Sequence, residues 1–324
     1  MKRMTSIGVI IVAVVVVLAG CSSGGSGGND AASPDTDKLI TIHVGETAGV
    51  PSAFLNYGVQ EGYFEKEGLD VVVDTGQGGA AAIPSVIGGS SQFAGSNTVS
   101  VILAKSEGLP LQMIAPGTFA ADSKDDAWSA LLVPKDSKIK GPEDLAGKTI
   151  AVSTLQNIGD VTIKSSLEQM GIDISGIKFV EIGFPDMLAA LANGNVDVVW
   201  EIEPFYAQAL AAGDRAVLYP YQAQPGLMIG SFVASDSYIA KNPKIVKAFQ
   251  NGIEATVNAV NDDPDSFRAA LVKLAKIPEA LTKAIHLPTW KTSIDVKSLQ
   301  FVEEHMEKYG IITNPVDVSK LVAK

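Results

Sequence analysis

The amino-acid sequence predicts an α/β protein built as two lobes. Short apolar strand segments alternate with helical segments from residue 39 to residue 133, and the alternation starts again after residue 135. Such alternation is typical of a largely parallel sheet with helices on both faces. The chain also has enough residues for two packed lobes after its N-terminal apolar run.

In the first unit the apolar runs predict strands, and the segments between them predict helices. The expected strands are residues 39–44, 69–74, 92–94, 111–115 and 130–133, and the expected helices are residues 52–66, 80–87 and 98–107. In the second unit the expected strands are residues 149–153, 178–181, 196–200 and 216–219, and the helices are residues 158–170, 185–192 and 205–211.

The remaining residues return the chain to the first unit. Residues 227–235 predict one more strand, and mostly helical sequence follows, with 244–261 as the longest helical pattern because apolar residues recur there every four positions. We therefore expect residues 39–134 plus 226–324 to form lobe 1 and residues 135–225 to form lobe 2. The two crossings are expected near 133–137 and 219–227, with a single larger domain as the alternative.

The N-terminus predicts export and attachment to a lipid. A basic start is followed by an apolar run at residues 7–18 and by Leu-Ala-Gly-Cys at residues 18–21, which resembles the lipobox of bacterial lipoproteins. The apolar run is shorter than the roughly 18 residues that a membrane-spanning helix needs. We expect a signal peptide at residues 1–20, a lipidated Cys21 and a flexible tether at 21–38. A signal peptide that is removed without lipidation is the alternative.

Composition and motifs exclude several classes of function. The net charge of −11 argues against a nucleic-acid partner. The three histidines are far apart without metal-ligand spacing, so no metal site is expected. Residues 76–81 fit a dinucleotide-binding glycine pattern, but no acidic residue follows where the ribose would need one. We therefore expect no cofactor, no catalytic residue and no enzymatic activity.

Three segments in order resemble solute-binding proteins of ABC importers. They are "GYFEKEGLDVVV" (residues 62–73), "DLAGKTIAVS" (144–153) and "LAALANGNVDVVWEIEPFYAQAL" (188–210). The resemblance is to the branch for aliphatic sulfonates, taurine, nitrate and the pyrimidine precursor of thiamine. It implies a type II periplasmic-binding fold, with two lobes of helix-covered mixed sheet joined by a two-crossing hinge.

The same resemblance implies a role and a location. The protein is expected to be a monomer, held to the outer face of the cell membrane through Cys21 or periplasmic. There it would capture an aminopyrimidine-like heteroaromatic or an alkanesulfonate and deliver it to an ABC permease and its ATPase. A lipid-anchored sensor is one alternative. An enzyme of pyrimidine-precursor synthesis is another, although its cysteine-rich motif is absent from this sequence.

The candidate ligand-binding residues come from the rule that ligands bind outside the carboxyl ends of the strands in such sheets. These residues are Gly49, Phe54, Gln77, Gly78, Ser96, Asn97, Thr98, Ser153, Thr154, Asn157, Trp200, Glu201 and Glu203. Other interpretations stay open for each kind of residue: the hydroxyls and amides are also good helix caps, the glycines suit tight turns, and Phe54 suits the core.

The scarcity of arginine bears on the ligand. After Cys21 the chain has only Arg215 and Arg268, and neither is expected in the cleft, so bidentate arginine recognition of an anion is not expected. Helix N-termini and hydroxyls could still hold a sulfonate. Glu201 and Glu203 beside Trp200 instead favour an amino-substituted heteroaromatic ligand.

Overall fold

The computed structural model describes residues 38–76 and 78–323. The predicted signal peptide, Cys21, nearly all of the tether and Gln77 lie outside the described residues. Within the described ranges, no helix combines the length and the apolar character needed to cross a membrane.

The described residues form twelve strands and ten α-helices. The strands are β1 Ile40–Thr47, β2 Leu69–Gly76, β3 Phe93–Asn97, β4 Leu111–Pro116, β5 Thr118–Phe119, β6 Ser129–Val133, β7 Thr149–Val152, β8 Lys178–Glu181, β9 Val198–Ile202, β10 Arg215–Leu218, β11 Gly230–Ser235 and β12 Thr289–Trp290. The helices are α1 Val50–Gln60, α2 Gly79–Gly88, α3 Thr98–Ser106, α4 Ile158–Gln169, α5 Phe184–Ala192, α6 Phe205–Ala212, α7 Asp236–Lys241, α8 Pro243–Asp262, α9 Pro264–Leu274 and α10 Val296–Lys308.

Two five-stranded sheets have the same internal order. The first runs β2-β1-β3-β11-β4 and the second runs β8-β7-β9-β6-β10. In each sheet one strand is antiparallel to both of its neighbours, β11 in the first and β6 in the second. The expectation of mainly parallel strands is thus correct for four strands in each sheet. The antiparallel strand of each sheet, β11 or β6, is the one that the chain forms directly after it crosses from the other sheet. This change of sheet explains its reversed direction.

The crossings differ in part from those expected. Strand β6 pairs with β9 and β10, so the chain has already entered the second sheet by Ser129, ahead of the expected crossing at 133–137. The assignment of residues 130–133 to lobe 1 is therefore wrong at the level of strand pairing. The return lies between Leu218 and Gly230, as expected. Contacts between the sheets are dense enough that the described residues form one compact unit.

Several elements differ from their predicted bounds. Strands β1 and β3 run three residues further than expected, to Thr47 and Asn97. Helix α1 ends at Gln60, and a short 3₁₀ turn follows in place of the last predicted helical residues. The short strand β12 interrupts sequence that was expected to be helical, because it pairs with β5.

Helix α8 packs closely on the turn that follows α1, through Gly252. Its predicted apolar stripe is confirmed, since Phe249, Ile253 and Val257 are buried. Gly252 faces the ring of Phe64, and a Cβ at Gly252 would lie 2.5 Å from Phe64 Cε1. The Phe64 ring, which is 1% exposed, fills the space that the glycine leaves open.

This packing predicts that Gly252→Ala destabilises the protein. The added methyl would overlap the Phe64 ring, and such overpacking costs roughly 1–3 kcal/mol. The matched control is Gly88→Ala, also in a helix, where an added Cβ meets no atom within 4 Å. Urea unfolding should show a loss of stability for Gly252→Ala and none for Gly88→Ala. Equal unfolding free energies for the two variants would contradict this description of the contact between α8 and Phe64.

Candidate ligand-binding site

A cavity lies where the carboxyl ends of strands from both sheets meet. It contains about 610 Å³ of empty space, part of which is open to solvent. Strand β1 contributes Glu46 and Thr47 to its lining, β3 contributes Ser96 and Asn97, and β9 contributes Trp200. Helices α1, α2, α3 and α4 begin beside the cavity, so their N-terminal N–H groups lie near it.

One wall of the cavity is a connected row of aromatic side chains on the side of the second sheet. Phe184 and Trp200 lie edge to face with centroids 5.2 Å apart, Trp200 and Tyr221 are 6.0 Å apart, and Tyr221 and Trp128 are 4.8 Å apart. The Trp200 Nε1–H donates to the Ser129 hydroxyl over 2.8 Å. This wall is therefore fixed in place by contacts made without a ligand.

A second aromatic pair lines the cavity on the side of the first sheet. The rings of Phe54 and Trp290 are stacked, with centroids 4.9 Å apart and an angle of 12° between their planes. Phe267 lies edge-on to Trp290 at 5.5 Å and supports the pair from behind. The Trp290 Nε1–H is buried and has no hydrogen-bond partner within the described residues. Rings on both sides suit a flat apolar ligand with a few polar edges.

Glu46 brings a carboxyl group to this aromatic cavity. The residue is 7% exposed, and its Oε1 accepts a hydrogen bond from the Thr47 N–H at 2.7 Å. A Cβ at Gly95 would overlap the Glu46 carboxyl group, with 2.5 Å to Oε1, so only glycine leaves room for it. Burial raises the pKa of Glu46 to about 7, against the lowering effect of the Thr47 hydrogen bonds.

Two buried hydroxyls complete the polar part of the lining. Ser96 on β3 and Ser231 on β11 are paired in register, and they are 3% and 1% exposed. Neither Oγ has a hydrogen-bond partner within the described part of the chain. Buried hydroxyls are normally hydrogen-bonded, and a bound molecule would supply the missing partners.

The structure places five of the predicted site residues in the cavity lining and seven outside it. The five are Phe54, Ser96, Asn97, Ser153 and Trp200. The seven are Gly49, Gly78, Thr98, Thr154, Asn157, Glu201 and Glu203. Gln77 lies outside the described residues.

Three of the seven, Asn157, Thr154 and Thr98, make hydrogen bonds within the protein, which is the alternative interpretation given for hydroxyls and amides. The Asn157 side chain caps α4 by accepting from the Gly159 N–H at 2.7 Å, and it donates to the Thr154 hydroxyl at 2.8 Å. The Thr98 hydroxyl donates to the Met228 carbonyl at 3.4 Å. These polar atoms are therefore already used within the protein.

The two glycines lie where the two halves of the cleft touch. Gly49 has φ +111°, and a Cβ there would lie 2.7 Å from the Glu203 carbonyl oxygen. A Cβ at Gly78 would lie 3.6 Å from Ser153 Oγ. Gly49 thus allows close approach of the two sides, whereas the distance at Gly78 is an ordinary van der Waals contact, and neither glycine lines the cavity.

The structure places the two predicted glutamates, Glu201 and Glu203, outside the cavity lining. Side chains alternate along β9, so Glu201 points away from the face that carries Trp200 and Ile202. Glu201 is fully buried, neither of its carboxyl oxygens has a partner among the described residues, and burial raises its pKa well above the usual value. Glu203 is buried too, and its carboxyl accepts the backbone N–H groups of Ala207 and His286 at 3.1 and 3.2 Å.

Sequence reasoning missed Glu46, although a signal was present. Ile42, Val44 and Glu46 occupy every second position of β1, and all three are buried. Extending the first predicted strand by this alternation would have placed Glu46 at its carboxyl end, on the buried face. Trp290 had no comparable signal, because its surroundings read as helical sequence.

The described lining contains no lysine, arginine or histidine. The Arg215 guanidinium donates to the carbonyls of Lys135, Ser137 and Ile139, and Arg268 donates to the Ile285 carbonyl. Both arginines thus lie outside the cavity, as the sequence predicted. Among the described residues, no group of three histidine, cysteine or acidic side chains could hold a metal ion.

The sequence from residue 52 to residue 267 matches the family described as NMT1/THI5 like. The chain belongs to this family. Two curated relatives are the formylaminopyrimidine-binding protein of Halalkalibacterium halodurans and the riboflavin-binding protein RibY of Chloroflexus aurantiacus. The first is 23% identical over 53% of this chain and 49% of its own length. The second is 22% identical over 98% of this chain and 95% of its own length.

A solved structure confirms the two-lobed periplasmic-binding fold. The alkanesulfonate-binding protein SsuA of Xanthomonas axonopodis pv. citri, bound to MOPS, superposes with a TM-score of 0.75 at 17% identity. The alignment covers 88% of this chain and 99% of that protein. The curated relatives are binding proteins by name, which agrees with the expectation of a binding protein rather than an enzyme.

The buried carboxyl of Glu203 predicts a pH dependence of stability. Burial raises its pKa from 4.5 to about 8, so the folded state holds the proton more tightly than the unfolded state. Its contribution to stability is therefore full below about pH 4.5 and is lost as the pH rises through 8, with a slope of at most about 1.4 kcal/mol per pH unit.

The test compares the wild type with Glu203→Gln by urea unfolding from pH 4.5 to pH 9. The stability advantage of the wild type over the variant should shrink as the pH rises. The control is Glu61→Gln, because Glu61 is exposed and its replacement should leave the wild-type pH profile unchanged. A constant difference between the wild type and Glu203→Gln would show that Glu203 has the same pKa in both states.

Proposed function

We propose that this chain is the substrate-binding component of an ABC-type import system. It would capture a small organic ligand between its two lobes and deliver it to a permease and its ATPase. The observation that carries the proposal is the partly open cavity between the two sheets, with aromatic walls and buried polar atoms that have no partner among the described residues. The names of the curated relatives support it, since both bind small heteroaromatic molecules.

The lining favours a flat heteroaromatic ligand over an alkanesulfonate. The described lining has no cationic side chain, and it carries the carboxyl of Glu46. Stacking between the ring pair Phe54–Trp290 and the facing wall that contains Trp200 would bind a planar ring system. Closure of the lobes on the ligand would shift an open–closed equilibrium, and the closed form would be the one that docks to the permease.

We also propose that the mature protein is held at the outer face of the cell membrane by a lipid on Cys21. The sequence supports this through the lipobox-like residues 18–21 and the Ser/Gly-rich segment that follows.

A thermal-shift screen of the purified chain tests the binding function. The probes are 4-aminopyrimidines, riboflavin, taurine, MOPS and nitrate. A ligand at one hundred times its Kd stabilises the folded state by roughly 2.7 kcal/mol, which raises the melting temperature by several degrees. We expect a heteroaromatic probe to produce the shift. If no small organic molecule in an extended screen stabilises the protein, the proposed function is wrong.

Labelling with a radioactive fatty acid tests the anchor. The wild type should incorporate the label and partition into detergent, because the Cys21 sulfur carries the lipid. Cys21→Ser should lose both properties, whereas the neighbouring replacement Ser22→Ala should keep them. Label retained by Cys21→Ser would overturn the proposed anchor without affecting the binding function.

A further inference from the structure

The placement of Glu46 is a built feature of the cavity. Glycine at position 95 leaves the space that the carboxyl fills, since any side chain there would occupy the same volume. Within the described chain, the hydrogen bonds that the Glu46 carboxyl accepts come from Thr47 alone, and the one from the Thr47 N–H is 2.7 Å long. A carboxyl group has room for about four hydrogen bonds, and Glu46 lines the cavity, so it can accept further hydrogen bonds from a ligand.

Other buried atoms around the cavity need partners of defined chemistry. The Trp290 side chain is buried, with the residue 3% exposed. Its Nε1–H can only donate a hydrogen bond, and it has no acceptor among the described residues. The hydroxyls of Ser96 and Ser231 can donate or accept, and both are unpartnered. A ligand that satisfies the whole set presents N–H donors at Glu46 and an acceptor atom at Trp290.

We infer that Glu46 is the specificity-determining residue of this cavity. Its carboxyl accepts N–H donors from an amino group on a nitrogen heteroaromatic ring, while a ring nitrogen or carbonyl of the same ligand accepts from Trp290. The inference rests on the proposed function and adds to it the group that selects the ligand. Gly95 is a positioning residue, because its missing side chain fixes where the carboxyl lies.

A pair of probes that differ in one amino group isolates this interaction. The probes are 4-amino-2-methylpyrimidine and 2,4-dimethylpyrimidine, titrated calorimetrically into the full chain at pH 8, where Glu46 is mostly ionised. Hydrogen bonds to charged groups are stronger than neutral ones, so the wild type should prefer the amino probe by about ten-fold or more. Glu46→Gln should reduce that preference to a few-fold.

The affinity for 2,4-dimethylpyrimidine reports whether each variant still has a folded cavity. In Glu46→Gln it should be at least as high as in the wild type, because the probe then desolvates a neutral amide of nearly the same shape and not a carboxylate. Gly95→Ala keeps the charge of Glu46 but displaces its carboxyl, and it should also lose the preference for the amino probe. Glu201→Gln removes a buried carboxyl that lies outside the cavity, and it should keep the wild-type preference.

The outcomes separate this inference from the proposed function. If Glu46→Gln keeps the full preference for the amino probe, the inference is overturned and the binding function stands. If the wild type binds MOPS more tightly than either pyrimidine, the selectivity assigned to Glu46 is also overturned, although the chain would still be a binding protein. If the wild type binds none of the three probes and no ligand in the thermal-shift screen, the proposed function fails and the inference fails with it.

Discussion

The interaction on which the rest of the structure depends is the pairing of the two crossing segments. The Ala120 N–H donates to the Leu227 carbonyl at 2.7 Å, and the Ile229 N–H donates to the Thr118 carbonyl at 2.8 Å. This antiparallel contact joins the two sheets beside their last strands and brings the carboxyl ends of strands from both to one space. Because helices begin where those strands end, backbone N–H groups reach the same space. The aromatic walls face each other for the same reason.

The cavity offers a ligand polar atoms that the protein itself leaves free to bond. Ser96 Oγ, Ser231 Oγ and Trp290 Nε1 have no partner among the described residues, and a ligand would replace the water that reaches them through the open side of the cavity. Glu46 adds a desolvated carboxyl, as its raised pKa shows. Packing elsewhere, such as Phe64 against Gly252, does not depend on a ligand. Binding therefore forms new hydrogen bonds at the cavity alone. These bonds lower the free energy of the closed form relative to the open form.

The sequence predicted the regular elements well because apolar periodicity reports burial directly. It failed where a tertiary contact decided the outcome. The pairing of β6 with β9 moved the first crossing, and nothing local to residues 129–133 signals that pairing. Asn157 could cap a helix or bind a ligand with the same side chain, and only the structure shows the capping geometry. The glutamates illustrate alternation: Glu201 follows Trp200 by one position and so faces away, whereas Glu46 follows Val44 by two and stays on the buried face.

The discrimination available to Glu46 can be judged from magnitudes. Two unit charges 4 Å apart near a protein surface repel by about 4 kcal/mol, which suggests strong exclusion of a sulfonate. The pKa of Glu46 is raised to about 7, however, so an approaching anion can induce proton uptake, which costs only about 1.4 kcal/mol at pH 8. Repulsion alone is therefore limited to roughly ten-fold at that pH. A charge-assisted hydrogen bond from an amino group strengthens the binding of an amino-substituted ligand by about 1.5–3 kcal/mol. Most of the selectivity must come from the donor that the carboxyl accepts, and the smaller part from the anion that it repels.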